Sequence, residues 1–236
     1  MLDWIAFDAD DTLWRNEEYY LDGRDKFLEI LQKYGIKAED IEDIDQFEVE
    51  NIQYFGYGVM SFVLSMIENA IKLTKETIHP GDIQQLIILA KEMLTEEVAV
   101  FDGVPALLEK LSAHYPLMLI TKGDLLHQQR KFQDSGLSSY FQALEVVSDK
   151  NPDVYEEILK RYKINPEKFL MIGNSLRSDI LPVLQAGGWA LHLVDHPTWS
   201  HEDDPLIEKN QDRYLEVNGI SQVDDLINDL NSGISN

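Results

Sequence analysis

The chain has no cysteine among its 236 residues. That absence excludes disulfides, thiolate nucleophiles, thiolate zinc sites and iron–sulfur clusters. Basic residues are scarce: 20 Lys and Arg stand against 43 Asp and Glu, a formal net charge of −23. Such a surface repels nucleic acid and anionic lipid, so neither is expected as a partner. No apolar run approaches the roughly 20 residues that span a bilayer. The opening MLDWIAFDADD carries no basic stretch and turns acidic at once, unlike a secretory signal. A soluble, cytoplasmic protein is the expectation. The histidines show no HExxH or comparable ligand spacing, so no zinc site is assigned. Internal repeats and low-complexity tracts are also missing.

Apolar residues make up 44% of the chain, enough for a sizeable core. Several short apolar runs end abruptly in polar residues. WIAF (4–7) ends at Asp8, LMLI (117–120) at Thr121, and LEVV (144–147) leads to Ser148, Asp149 and Lys150. FLMI (169–172) ends at Gly173 and Asn174, and WALHLV (189–194) at Asp195. Runs of this kind suit strands buried on both faces of a parallel sheet. Amphipathic stretches at 105–115 and 153–162, and one from Asp179 to Gly187, separate the later runs. Strand alternating with helix predicts a doubly wound, Rossmann-like α/β domain, with ligands at the carboxyl ends of the strands. The connection from Asp8 to Thr121 is far longer than the ~30 residues of a βαβ unit. Its helical stretches at 24–34, 59–73 and 80–95 predict an inserted helical domain over 16–98.

Four polar elements follow these runs. Asp8-Ala9-Asp10-Asp11-Thr12 sets two carboxylates two positions apart beyond a buried strand. Unpaired acids are costly there, and a hard divalent cation suits their oxygens, although Asp-rich turns are also common. Thr121-Lys122-Gly123-Asp124 offers a hydroxyl, backbone N–H groups and a following helix N-terminus to a phosphate. Lys150, in Ser148-Asp149-Lys150-Asn151-Pro152, would alone pass for a surface lysine. Gly173-Asn174-Ser175-Leu176-Arg177-Ser178-Asp179 puts an amide and a carboxylate at a third strand end. Asp179 there also suits a helix start.

In this order and spacing, the four elements resemble the haloacid dehalogenase-like (HAD) hydrolase superfamily. The resemblance implies a catalytic core over 1–15 and 99–236, with residues 16–98 as the helical C1-type cap. It implies a magnesium-dependent phosphatase acting on a small phosphorylated metabolite. Asp8 would attack phosphorus and form an aspartyl-phosphate. Asp10 would protonate the leaving oxygen, then deprotonate the hydrolytic water. Thr121 and the Lys122 backbone would hold the phosphoryl group, and Lys150 would balance its charge. Asp8, Asp10 (through its carbonyl), Asn174 and Asp179 would form the Mg²⁺ site.

One departure matters. Phosphatases of this family usually carry Asp where this chain has Asn174. Asn keeps an oxygen donor and loses a charge. A catalytically weak binding protein therefore stands as an alternative. So does a metal-independent 2-haloacid dehalogenase, since those enzymes carry Asn at this place. Asp10 favours phosphoryl transfer, because halide leaves without a proton and an alkoxide does not. A phosphate-returning mutase stays open. Two further segments draw notice. Tyr54–Met60 sets aromatics among glycines, as a rim over the site or as packed core, with packing the preferred reading. The His- and Trp-rich 195–202 follows a strand and either covers the site or is an ordinary loop. Trp14 either touches substrate or fills the hinge.

Overall fold

The structure is a computed structural model that describes residues 2–40, 44–202 and 212–232. In chain order its elements are β1 (Trp4–Phe7), α1 (Glu17–Gln32), α2 (Ile44–Phe55), α3 (Val59–Leu73), α4 (Pro80–Met93), α5 (Val104–Ser112) and β2 (Leu117–Lys122). There follow α6 (Leu125–Asp134), β3 (Ala143–Val147), α7 (Pro152–Tyr162), β4 (Phe169–Gly173), α8 (Leu181–Gln185), β5 (Trp189–Leu193), β6 (Tyr214–Val217) and α9 (Val223–Ser232). Among the described residues six strands form one sheet in the order β3-β2-β1-β4-β5-β6, and each of their pairings is parallel.

Alternate residues of the strands feed two separate cores, because side chains on a strand point to opposite faces. Ile5, Phe7, Leu117, Leu119, Leu170 and Ile172 pack on one face with Leu108 of α5 and Ile227 of α9. Ala6, Met118, Ile120, Met171 and Ala190 pack on the other with Tyr155 and Leu159 of α7 and Val183 of α8. This is the doubly wound arrangement, and it explains why the inner strands read as unbroken apolar runs. Chain order runs outward from β1 to β3 and then returns to β4 on the other side of β1. The carboxyl ends of β1 and β4 are thus the switch point where such sheets bind ligands.

Local signals set the helix ends. The Asn151 side chain accepts from Val154 N at 3.1 Å, Pro152 opens α7, and the helix stops at Lys163 in the left-handed region. The Asp124 side chain accepts from His127 N at 2.9 Å and starts α6. Beyond Asp179 the chain does not enter an α-helix directly. Residues Leu176–Ile180 form a wider π turn before α8 begins.

The chain divides into two compact units, Met1–Glu17 with Val98–Asn236, and Glu18–Glu97. The second is helical, with Phe27, Leu31, Phe62, Met66, Ala70 and Leu86 in its core. Tyr54 and Phe55 do not join that core. They end α2 with 74% and 51% of their surface exposed, which corrects the packed-core reading of that segment. Gly56 and Gly58 beside them both take positive φ. Among the described residues, no helix is long and apolar enough to cross a membrane.

Candidate active site

Asp8 leaves β1 with its backbone N–H still bonded to Ile172 of β4 at 2.9 Å. Its carboxylate is buried and held from two sides. Lys150 Nζ donates to Oδ1 at 2.5 Å, and the Thr12 hydroxyl lies 3.0 Å from Oδ2. The same ammonium donates to Asp179 Oδ1 at 2.7 Å. Asp179 is fully buried, and its Oδ2 accepts from Ser175 N at 3.1 Å. Lys150 therefore bridges two buried carboxylates that come from different strand ends. Burial pushes the Asp8 carboxyl up to about 7, and the charge of Asp179 adds to it while Lys150 opposes. Burial alone would depress the Lys150 ammonium, but Asp179 and Asp8 outweigh it and hold the proton on.

Close packing lets Asp179 lie there. A Cβ on Gly173 would sit 2.2 Å from Asp179 Oδ2 and 2.4 Å from its Cγ. Only a glycine at the end of β4 leaves that space.

Asp10 faces a second set of donors. Trp14 Nε1 donates to Oδ1 at 2.7 Å, Lys131 Nζ pairs with the same oxygen, and Gln128 Nε2 donates to Oδ2 at 2.8 Å. Burial opposes ionisation, yet Lys131 and these hydrogen bonds hold the Asp10 carboxyl below its ordinary range. Trp14, 1% exposed, thus fills the interior while bonding the carboxylate.

Asn174 is committed at both ends of its amide. Its Oδ1 lies 3.0 Å from the Thr12 hydroxyl, the group that also reaches Asp8. Its Nδ2 donates to Pro197 O at 2.5 Å and to Thr198 Oγ1 at 3.2 Å. The loop after β5 is accordingly part of the site. His196 Nδ1 also donates to Asp11 O at 2.9 Å. Farther along, Glu202 accepts from Lys122 Nζ at 2.5 Å, from Ser175 Oγ at 2.8 Å and from Ser178 Oγ. Burial would raise its carboxyl, but Lys122 first, and then the two hydroxyls, bring it down to about 2. Thr121 is buried at the end of β2, its hydroxyl 3.4 Å from Lys122 O. Gly123 follows at φ +129°, where an L side chain is strained.

The structure thus brings Asp8, Lys150 and Asp179 into direct contact, joins Asn174 to them through Thr12, and sets the Lys122 ammonium against Glu202. Asp10 contacts neither Lys150 nor Asp179, and belongs to the group formed with Trp14, Gln128 and Lys131. The sequence reading missed Gln128 and Lys131, and it quoted Ser175, Ser178 and Glu202 within its segments without giving them a role. A polar stretch following the Asp124 cap was the available signal for the first two.

Among the described residues, no three His, Cys, Asp or Glu side chains gather as a ready metal cluster. The side-chain donors brought together are two carboxylates and an amide oxygen. That suits a hard cation such as Mg²⁺, which binds through one or two carboxylates and keeps waters for its other positions. Asp8 and Asp179 share the single ammonium of Lys150, so a divalent cation there would offset the second carboxylate.

Comparison with known proteins identifies the family. Residues 2–187 match the family model of the haloacid dehalogenase-like hydrolases. The chain is 26% identical over 232 residues to the pyrimidine 5′-nucleotidase YjjG of Escherichia coli, covering 88% of this chain and 99% of that one. It is 25% identical to the glyceraldehyde 3-phosphate phosphatase of Methanothermobacter thermautotrophicus, covering 96% and 100%. A crystal structure of a haloacid dehalogenase-like family hydrolase from Xanthomonas campestris superposes with a TM-score of 0.88 at 37% identity, covering 99% of this chain and 97% of that one. The parallel sheet, the four strand-end elements and a family match over most of the length lead to one conclusion: the chain belongs to the haloacid dehalogenase-like hydrolases.

Proposed function

We propose that the protein is a Mg²⁺-dependent phosphomonoester hydrolase that works through an aspartyl-phosphate on Asp8. The observation that carries the reading is the pairing of two carboxylate sites with different environments. Asp8 is buried against Lys150 and Asp179. Asp10, two residues on, is gripped as a separate acid–base group. A dehalogenase has no use for the second group, because halide leaves unprotonated.

In this reading Asp8 bonds to phosphorus as the ester oxygen departs, and Asp10 supplies that oxygen's proton. Water then attacks the phosphoenzyme, gives its proton to Asp10, and frees Asp8. The Thr121 hydroxyl and the Lys122 backbone N–H hold the phosphoryl oxygens. Lys150 offsets the charge that Asp8 and phosphate share. Mg²⁺, held by Asp8, Asp179, the Asp10 carbonyl and the Asn174 amide oxygen, would screen the repulsion between two anions. Residues 16–98 act as the cap that selects the leaving group. The two curated relatives are named for a pyrimidine 5′-nucleotide and for glyceraldehyde 3-phosphate. Both are small phosphate monoesters, which supports a metabolite of that class, handled in the cytoplasm.

The test is hydrolysis of p-nitrophenyl phosphate with and without Mg²⁺, for the native protein and for Asp8→Asn. Turnover that needs both Mg²⁺ and Asp8 is expected. Equal turnover by Asp8→Asn, or chloride release from 2-chloropropionate without metal, would overturn the proposal.

A further inference from the structure

Helix α6 has an unusual buried side. Its most buried residues are Gln128 and Lys131, both polar, with Phe132 half-buried beside them against the core. A surface helix ordinarily turns an apolar stripe inward, and a buried ammonium is costly unless it is paired. The two residues stand three apart and so share one face. That face is spent on Asp10. Lys131 Nζ pairs with Asp10 Oδ1 and also donates to Asn16 Oδ1 at 2.9 Å. Gln128 Nε2 lies between two acceptors, Asp10 Oδ2 and Lys122 O, each at 2.8 Å. Gln128 can lie this close because Gly123 is bare. A Cβ there would meet its Nε2 at 3.0 Å.

The donors are distributed unevenly over the Asp10 carboxylate. Oδ1 takes two, from Trp14 and Lys131, while Oδ2 takes one, from Gln128. An oxygen that already accepts two hydrogen bonds has no lone pair to spare for a proton. We propose that Lys131 and Gln128 are positioning residues that aim Asp10: Lys131, with Trp14, anchors Oδ1, and Gln128 orients Oδ2, the oxygen left to pass the proton. This rests on the phosphatase reading above. Asp10 enters the first step protonated on Oδ2, against the pull of Lys131 in the substrate-free site; the Asp8–phosphorus bond forms as the ester P–O bond breaks, and the departing oxygen takes that proton. In the second, the water oxygen bonds to phosphorus, its proton goes to Oδ2, and the bond to Asp8 breaks. Both groups return to their starting state. Gln128 also ties this acid to the loop that follows Thr121, so the proton donor and the phosphate loop share one support.

The experiment compares phenyl phosphate with p-nitrophenyl phosphate at excess enzyme over substrate, with Mg²⁺, so that release of the phenol reports the first step alone. The two esters have similar shape, but phenoxide needs the proton far more than p-nitrophenoxide does. General acid catalysis supplies roughly 10²- to 10⁴-fold, so Lys131→Met is expected to slow phenyl phosphate about tenfold more than p-nitrophenyl phosphate. Lys131→Arg should recover most of that difference, and Gln128→Leu should show the same selectivity. Equal losses on both esters, or no loss, would overturn the proposal and leave Lys131 a structural ion pair. Should Lys131→Met fail to fold by circular dichroism, Lys131→Gln carries the same comparison. Undiminished turnover by Asp8→Asn would instead remove the phosphatase reading itself, a separate outcome.

Discussion

Gly173→Ala adds a single methyl group at the end of β4, and the structure fixes what that methyl meets. It would lie 2.2, 2.4 and 2.7 Å from Oδ2, Cγ and Cβ of Asp179. Non-bonded carbon contacts settle near 3.5 Å, so the carboxylate must retreat by about 1 Å or more. The Cβ of Asp179 is itself among the close atoms, so a χ rotation alone does not relieve the clash. Retreat stretches the 2.7 Å contact with Lys150 and the 3.1 Å contact with Ser175 N. A misplacement of roughly 1 Å in a catalytic group costs about 10²-fold in rate. Overpacking a tight interior costs about 1–3 kcal/mol, which for a chain of this size lowers Tm by roughly 2–12 °C. Gly173 carries none of the positive φ seen at Gly123, so the effect isolates steric crowding. Gly219→Ala is the matched control. It has nothing within 4 Å and an extended φ of −175°, so its change should stay within about 0.5 kcal/mol. Thermal melting and p-nitrophenyl phosphate turnover read both variants. If Gly173→Ala keeps its Tm and more than about a third of its activity, well short of the loss expected for such a shift, the close placement of Asp179 is refuted.

Three other outcomes follow from the same geometry. Asn174→Asp restores the family's usual residue but sets a carboxylate oxygen against Pro197 O, where Nδ2 now donates. It should destabilise by about 1–3 kcal/mol, seen as a lower Tm without metal. Unchanged melting would refute the pinned amide. Glu202 is held at about 2 against an ordinary 4.5. A depressed carboxyl contributes stability that is complete above 4.5 and lost as pH falls toward 2. Denaturant titrations across that window should show this slope in the native protein and a weaker one in Glu202→Gln. Trp14→Phe keeps an aromatic ring in the interior but gives up the second ring of the indole and the donor to Asp10 Oδ1. Its loss, about 1.5–3 kcal/mol for a hydrogen bond to a charged group, should appear in turnover with an alkyl phosphate more than in KM.

What the sequence discloses about this fold depends on where burial is apolar. β1, β2 and β4 are covered on both faces, so they stand out as unbroken runs, each ending at a polar residue of the site. β6, Tyr214–Val217, is a half-exposed edge strand of four residues, and nothing in its pattern separates it from a loop. Of α6 only the start was legible, as the helix N-terminus that follows Asp124. Its most buried residues are Gln128 and Lys131, with Phe132 half-buried beside them against the core, so no amphipathic pattern singles the two polar residues out. Asp8 was readable directly beyond an apolar run, whereas Lys150 and Asp179, the latter inside a π turn, were legible only through the family resemblance of the four elements together. Glu202 was not, because its role depends on Lys122, 80 positions earlier in the chain. The aromatics of Tyr54 and Phe55 misled in the opposite sense: size suggested interior, and the α2 terminus left them outside.

The lysines of the site carry a last implication. Lys122, Lys131 and Lys150 are each engaged by acids of the chain itself, three ammonium groups against the four carboxylates of Asp8, Asp10, Asp179 and Glu202. An incoming dianion therefore finds no surplus attraction until a divalent ion reverses the local sign. Addition should be ordered, cation first, and inorganic phosphate should inhibit as a competitor only at saturating Mg²⁺.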